Sequence, residues 1–184
     1  MTEDRGADPR RRDALVRIGA ASVVGPLLLA ACSPSPVAMS AFESIASALK
    51  TLDALRTAPP RMTGAWDLAQ VLHHAAQSIE YSLQGFPQPK PAWFRATVGP
   101  LAFAVFSARG RMSHGLAEPI PGAPAIALGQ PLAPAVDRLV AALRAFESHT
   151  GPLAPHFAYG ALDKAAYTQA HLMHLADHWR EAVA

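Results

Sequence analysis

The chain has 184 residues, of which 51% are hydrophobic and 16% are charged, and its formal net charge is +2 with neutral histidines. This composition is typical of a globular protein and gives no basic patch of the kind that binds nucleic acid. The sequence contains one cysteine, Cys32, which excludes an internal disulfide.

The first 31 residues have the three parts of a secretion signal. Arg10–Arg12 form a basic cluster, residues 18–31 form an uncharged apolar run, and Cys32 follows. The apolar run is 14 residues long (31 − 18 + 1), whereas a bilayer core needs about 20 helical residues. The segment is therefore predicted to be a signal peptide and not a transmembrane helix. A buried N-terminal helix with an incidental cysteine is the alternative.

Two short patterns refine this export prediction. Leu29-Ala30-Ala31-Cys32 resembles the bacterial lipobox, in which the cysteine sulfur is acylated before cleavage. Arg11-Arg12 followed by Leu15 resembles the twin-arginine export signal. We expect Cys32 to become an acylated N-terminus in the bacterial cell envelope, with residues 32–38 as a lipidated Ser/Pro tether. The expected side is the periplasmic one, at the outer membrane where the host has one. The choice between twin-arginine and general secretory export stays open.

Residues 39–184 are predicted to form one all-α domain. Removal of residues 1–31 leaves 153 residues (184 − 31) with 11 basic and 10 acidic side chains, a nearly neutral chain that is long enough for a sizeable core. Apolar residues at helical spacing predict five helices, and no stretch shows convincing strand alternation. The predicted helices are 41–56, 65–83, 91–109 (interrupted or bent near Gly99-Pro100), 135–148 and 162–183.

A long Pro-rich loop is predicted over residues 115–134, which hold five prolines and three glycines. Four main helices joined to an extra helical segment are most economically arranged as an antiparallel four-helix bundle.

The last predicted helix carries three histidines on one side. At about 100° per residue, His171, His174 and His178 lie within an arc of about 60°. His174 and His178 are an i, i+4 pair, so both imidazoles can contact one ion. Asp177 and Glu181 are close enough in sequence to support metal ligands, although Asp177 is expected to point about 100° away from His178.

A second source of histidine is the pair His73-His74 in the second predicted helix. Adjacent residues diverge by about 100°, so at most one of the two faces a given site, and periodicity does not choose between them. Histidines from two helices predict a divalent metal site, and neutral imidazoles suit Zn²⁺, Ni²⁺ or Fe²⁺. A hydrogen-bonded structural cluster and a chance grouping of surface histidines are the alternatives.

Several segments resemble the DinB-like (YfiT-type) superfamily. Residues 66–76 (WDLAQVLHHAA) resemble its second helix, where a Trp opens the helix and one histidine before a small or apolar pair is a metal ligand. The spacing of His174 and His178 matches the His-x3-His of its last helix. Segments 109–114, 119–124 and 156–160 resemble a branch of that superfamily catalogued as a domain of unknown function.

The resemblance covers nearly the whole mature chain and implies a ligand set. It implies that His74, His174 and His178 are the metal ligands and that His171 and His156 are accessory to the metal site. The branch usually has His-His where this chain has Asp177-His178, and a Pro where this chain has Phe157.

The superfamily members with an activity are mostly thiol-dependent transferases or isomerases that use a divalent metal, so the resemblance implies similar chemistry. An ion held by three histidines with an open position lowers the pKa of a bound thiol or water. Because low-molecular-weight thiols are chiefly cytoplasmic, predicted export makes a hydrolase that uses metal-activated water an equal alternative to a transferase.

A non-catalytic lipoprotein that binds a metal or a small ligand is the other hypothesis. It is motivated by the lack of a clear general base, for which Glu80 and Glu181 are the candidates. The expected partners are the membrane, through the lipid, and a small molecule whose identity stays open, as does formation of a homodimer.

Overall fold

Six α-helices and one two-stranded antiparallel sheet make up the regular structure of residues 41–183, which are the residues that the computed structural model describes. The predicted signal peptide, Cys32 and the Ser/Pro tether lie outside the described residues. In chain order the elements are α1 (Ile45–Ala54), β1 (Arg61–Met62), α2 (Leu68–Gln84), α3 (Ala92–Ala96), α4 (Val98–Arg109), α5 (Leu132–Ser148), α6 (Lys164–His178), a 3₁₀ turn (Trp179–Glu181) and β2 (Ala182–Val183).

The prediction of a mostly helical domain is confirmed. Within residues 41–183, none of the helices combines the length and the apolar character that crossing a bilayer requires.

The hydrophobic core lies among α1, α2, α5 and α6. Each of these helices contributes fully buried leucines, for example Leu52, Leu72, Leu139 and Leu175. Burial of one such side chain contributes about 1.5–3 kcal/mol to stability. The most extensive helix–helix packing is that of α2 against α5, and α2 also packs against α6. The two helices that carry most of the predicted ligands are therefore neighbours.

Side-chain caps fix where the two histidine-bearing helices begin. Asp67 accepts a hydrogen bond from the backbone N–H of Gln70 (2.8 Å), while the Gln70 side chain accepts one from the backbone N–H of Asp67 (3.1 Å). This capping box starts α2 at Leu68, three residues after the predicted start. Asp163 caps α6 in the same way by accepting from the N–H of Ala166 (2.8 Å).

The third predicted helix is two helices, α3 and α4, which meet at Thr97. The interruption precedes Gly99-Pro100 because Pro100 lies in the first turn of α4, where its missing N–H would have no helical acceptor. Gly99 is buried, and a Cβ at this position would overlap the carbonyl oxygen of Ala158. Of the interruption or bend predicted near Gly99-Pro100, the structure has an interruption, at Thr97. Gly99 allows a close approach of the backbone before α6.

The end of the last helix differs from the prediction. Helix α6 ends at His178, and the chain continues through the 3₁₀ turn into β2, which pairs Val183 with Arg61 and Ala182 with Met62. The sequence shows no strand alternation at these positions because strands of two residues are too short to show it. This sheet, with a hydrogen bond from Thr63 N to Glu181 O (2.8 Å), ties the end of α6 to the segment before α2.

The predicted Pro-rich loop is shifted toward the N-terminus. Helix α5 begins at Leu132, with Pro134 in its first turn, where proline is tolerated. The connection between α4 and α5 therefore covers residues 110–131, and it contains His114.

Candidate metal centre

Four histidines meet where α2, α6 and the α4–α5 loop come together. His74 comes from the middle of α2, His174 and His178 from consecutive turns of α6, and His114 from the loop. Nε2 of His174 lies 3.1 Å from Nε2 of His74 and 3.0 Å from Nε2 of His178. One potential ligand atom from each of the four lies within 4.8 Å of all the others. Nitrogens bound to one tetrahedral Zn²⁺ are separated by about 3.3 Å, so the spacing fits a single ion.

The imidazoles of His74, His174 and His178 are held in the neutral form. His74 and His178 are 3% and 0% exposed. Burial, reinforced by the neighbouring histidines, lowers the pKa of His74 to about 4 and that of His178 to about 3. The same causes place the pKa of His174 well below its ordinary value. A neutral imidazole keeps the lone pair that a metal ion needs.

Asp177 connects the loop histidine to α6. Its carboxylate is 1% exposed, with Oδ2 2.9 Å from Nδ1 of His114 and Oδ1 3.0 Å from Nη1 of Arg180. Burial alone would raise the pKa of Asp177, but contacts with His114 and Arg180 outweigh it and hold the pKa below its ordinary value. Asp177 contacts His114 at Nδ1. The other ring nitrogen, Nε2, is buried and has no hydrogen-bond partner among the described residues. A carboxylate that orients a histidine in this way is typical of metal sites.

The loop that carries His114 is attached along α2. The Gln70 side chain donates to the carbonyl of Ile126 (3.0 Å), and the Gln77 side chain donates to that of Pro124 (3.2 Å). Asp67 accepts from the backbone N–H of Gly129 (2.8 Å). These contacts attach residues 124–129 of the loop to α2, whereas His114, near the start of the loop, contacts Asp177 of α6.

The structure separates the adjacent histidines of α2. His74 enters the cluster, whereas His73 is half-buried toward α5, with Nδ1 3.5 Å from Nη1 of Arg138. Arg138 also donates to both carboxylate oxygens of Glu80 (2.9 and 2.7 Å). Glu80 is therefore occupied by an ion pair and is not a free general base.

His171 and His156 lie outside the four-histidine cluster, and both histidines line the cavity beside it. His156 Nδ1 accepts from the backbone N–H groups of Ala158 and Tyr159 (3.1 Å each), so the proton of its neutral ring is on Nε2. His171 Nε2 lies 3.3 Å from Ser82 Oγ, whose own proton goes to the carbonyl of Ile79. His171 therefore donates from Nε2 and keeps an unprotonated Nδ1. Burial lowers the pKa of both histidines to about 3.

The cavity adjoining the cluster has a volume of about 220 Å³. This is smaller than the roughly 300–1,000 Å³ of pockets for drug-sized ligands, so it suits a small molecule. Besides the histidines His74, His114, His156, His171 and His174, it is lined by Ser78, Lys90, Met112, Glu118, Pro119, Ile120, Pro121, Phe157, Tyr159 and Ala170. Burial raises the pKa of Tyr159 to about 12, so its hydroxyl stays protonated at neutral pH.

His114 is the member of the cluster that the sequence did not assign. A loop residue has no periodicity, so no pattern places its side chain near a given helix. The one signal was its position in segment 109–114, which was singled out by resemblance and given no role.

The family model described as a protein of unknown function (DUF1569) matches residues 38–184. The chain belongs to this family. The DUF1569 match covers nearly the whole predicted mature chain and all four clustered histidines, and its description assigns no activity. The predicted relation to a domain of unknown function is confirmed, whereas the wider DinB-like relation stays a prediction. No curated protein and no solved structure matches the chain.

Proposed function

We propose that this DUF1569 protein binds a divalent transition metal through His74, His174 and His178, with His114 as a fourth ligand. The observation that carries the proposal is the approach of three neutral Nε2 atoms to within 3.0–3.1 Å along the cluster. Imidazole donors suit Zn²⁺, Ni²⁺ and Fe²⁺ alike. The packing of α1, α2, α5 and α6 around one core is consistent with a DinB-like four-helix bundle.

A purely hydrogen-bonded cluster explains this geometry less well. A ring nitrogen of neutral imidazole carries either one proton or one in-plane lone pair. Nε2 of His174 has two nitrogen neighbours at hydrogen-bond distance, so it can satisfy only one of them. The other buried contact would be left without a proton or without an acceptor, at a cost of about 1–3 kcal/mol. One cation satisfies all the converging lone pairs together.

The cavity beside the cluster gives the proposed centre a place for a small ligand. His156 presents an Nε2–H donor, His171 an Nδ1 acceptor and Tyr159 a hydroxyl donor among mostly apolar neighbours. A metal ion at the cluster would lower the pKa of a bound water or thiol. The chemistry that fits is a metal-dependent hydrolase or transferase acting on a small molecule.

A non-catalytic metal-binding protein is the second candidate, and the fourth histidine favours it. Four nitrogen donors complete the tetrahedral shell of Zn²⁺, as in structural sites, whereas catalytic zinc sites keep one position open. The His114 side chain is 27% exposed, in contrast to the buried His178. If His114→Ala retains the metal and gains turnover or ligand binding, the site is of the open type.

Export and lipid anchoring complete the proposal. They are supported by the order of basic cluster, apolar run and lipobox in the first 32 residues. An acylated Cys32 would place the metal centre on the periplasmic side of the cell envelope, away from the cytoplasmic thiols that the superfamily's transferases use. A water nucleophile then becomes the more economical choice.

Metal analysis of untagged protein tests the proposal. Wild-type protein should retain about one equivalent of transition metal, as expected for a single site. His74→Ala should lose the metal because it removes a central ligand. His73→Ala, a neighbouring substitution on the same helix outside the cluster, is the matched control and should retain it. Wild-type protein that holds no transition metal after incubation with Zn²⁺, Ni²⁺ or Fe²⁺ and desalting would overturn the proposal.

A further inference from the structure

Helices α3 and α4 carry an exposed apolar surface. Trp93 and Leu101 are 65% and 67% exposed, and Val98 and Val105 are 44% and 38% exposed. On α4 the three aliphatic side chains lie within an arc of about 60°. Gly99 is the one buried residue of this helix. These four residues, Trp93, Val98, Leu101 and Val105, are called the α4 surface below. An exposed apolar surface of this kind is typical of a site that binds a membrane or another protein.

The stretch of sequence that carries the α4 surface has charged side chains of one sign. Residues 81–117 contain no Asp or Glu, whereas they contain Lys90 and Arg95 before α4 and Arg109 and Arg111 at its C-terminal end. All ten acidic residues of the predicted mature chain lie outside this stretch. An apolar helix face with basic residues at both ends matches a bilayer with anionic headgroups, where each cation near the surface adds about 1 kcal/mol.

The number of residues between Cys32 and the described chain limits how far this surface can lie from the predicted lipid anchor. Phe42 and Glu43, at the start of the described chain, line one cleft together with Gly110, the residue that ends α4. Eight residues, 33–40, separate Cys32 from Ala41, and the span from Cys32 to Ala41 is at most about 30 Å. Acyl chains on Cys32 would therefore hold Ala41 within about 30 Å of the bilayer, and the residues that follow Ala41 line the same cleft as the C-terminal end of α4.

We propose that the α4 surface docks onto the anionic lipid surface of the membrane to which the protein is anchored. The inference rests on the proposed acylation of Cys32. Docking would fix the orientation of the domain, with the apolar side chains at the headgroup boundary and the basic side chains at the phosphates. A second copy of the chain is the competing occupant, and the experiment below separates the two.

Fluorescence quenching by brominated lipids tests the docking. Full-length protein is produced in its host, purified with its lipid, and placed in vesicles of brominated phosphatidylcholine with or without phosphatidylglycerol. The contribution of Trp93 is isolated by subtracting the signal of Trp93→Phe, since the chain has three tryptophans. Quenching should be strong with phosphatidylglycerol, and weak without it or at high salt, because salt screens exposed charges. Arg109→Gln should weaken docking about fivefold, the effect expected for one cation.

Two matched substitutions separate a specific surface from a general effect of charge. Leu101→Glu should abolish quenching of Trp93. Leu128→Glu places the same charge at a leucine of the α4–α5 loop that is 72% exposed, and should leave quenching unchanged. Both sites are exposed, so both variants should keep the wild-type circular dichroism spectrum.

Three results would overturn the proposal in different ways. Intact mass showing an acylated N-terminus, together with unquenched Trp93, would leave the anchor standing and remove the docking. An unacylated Cys32 would refute the anchor, and the docking inference would fall with it. Sedimentation of a detergent-solubilised dimer that Leu101→Glu converts to a monomer would assign the surface to a second copy of the chain.

Discussion

Replacement of Asp177 by Asn removes the negative charge that supports one proposed metal ligand and leaves every histidine in place. The carboxylate lies 2.9 Å from Nδ1 of His114 and is almost fully buried, so water cannot replace it cheaply. Loss of such an outer partner typically weakens metal binding 10- to 100-fold, or about 1.4–2.7 kcal/mol. The lower end is expected here, because Asn can still accept a hydrogen bond from His114 and the other three histidines are untouched.

The assay for Asp177→Asn is a competition titration of the apo-protein with Zn²⁺ and a chromogenic chelator at neutral pH. Asp163→Asn is the control, since it makes the same change at the N-cap of the same helix, where Asn caps about as well as Asp. Urea unfolding of each apo-variant separates lost affinity from lost stability. An affinity for Zn²⁺ within about twofold of wild type, or an equal loss in Asp163→Asn, would refute the supporting role of Asp177.

Two further predictions concern stability. Six histidines (73, 74, 156, 171, 174 and 178) have folded-state pKa values below 6.5. The unfolded chain therefore takes up protons first as the pH falls. The contribution of these neutral histidines to the free energy of unfolding is complete above pH 6.5 and decreases as the pH falls toward 4. The decrease is at most about 1.4 kcal/mol per group and pH unit. Urea unfolding of the apo-protein should show this decline, and a flat profile across that window would contradict the reasoning. Gly99→Ala should lose about 1–3 kcal/mol through overlap with a backbone carbonyl. Gly151→Ala, which meets only a rotatable side chain, should change the melting temperature little, and equal losses would refute the packing argument.

The helical pattern was visible in the sequence because α1, α2, α5 and α6 bury one face each. Leu52, Leu72 and Leu139 belong to such stripes, and each is fully buried. The ends of the helices were less predictable, because they depend on individual hydrogen bonds. Helix α2 begins later than predicted because Asp67 caps it by accepting a hydrogen bond from the N–H of Gln70. Helix α6 ends earlier than predicted because the chain after it forms a strand of two residues.

The candidate site was predictable to the extent that it lies on helices. Helical angles brought His174 and His178 to one side of α6, where the structure has them. The same angles placed His171 on that side, but angle says nothing of height, and seven residues separate His171 from His178 by about 10.5 Å along the axis. The position of His114 could not be predicted in this way. Its loop is attached to α2 by side chains that donate to backbone carbonyls. Because every residue type has a backbone carbonyl, the sequence does not show which loop residues accept these hydrogen bonds.

The positions of the four clustered histidines along the chain have a consequence for folding. His74, His114 and His174 are separated by 40 and 60 residues (114 − 74 and 174 − 114). An ion bound to all of them would close two large chain loops and act as a cross-link. The entropy lost by the unfolded chain on such closure grows with the logarithm of loop length. In a chain whose single cysteine leaves no internal disulfide, metal supply would then govern how long the domain resists unfolding and proteolysis.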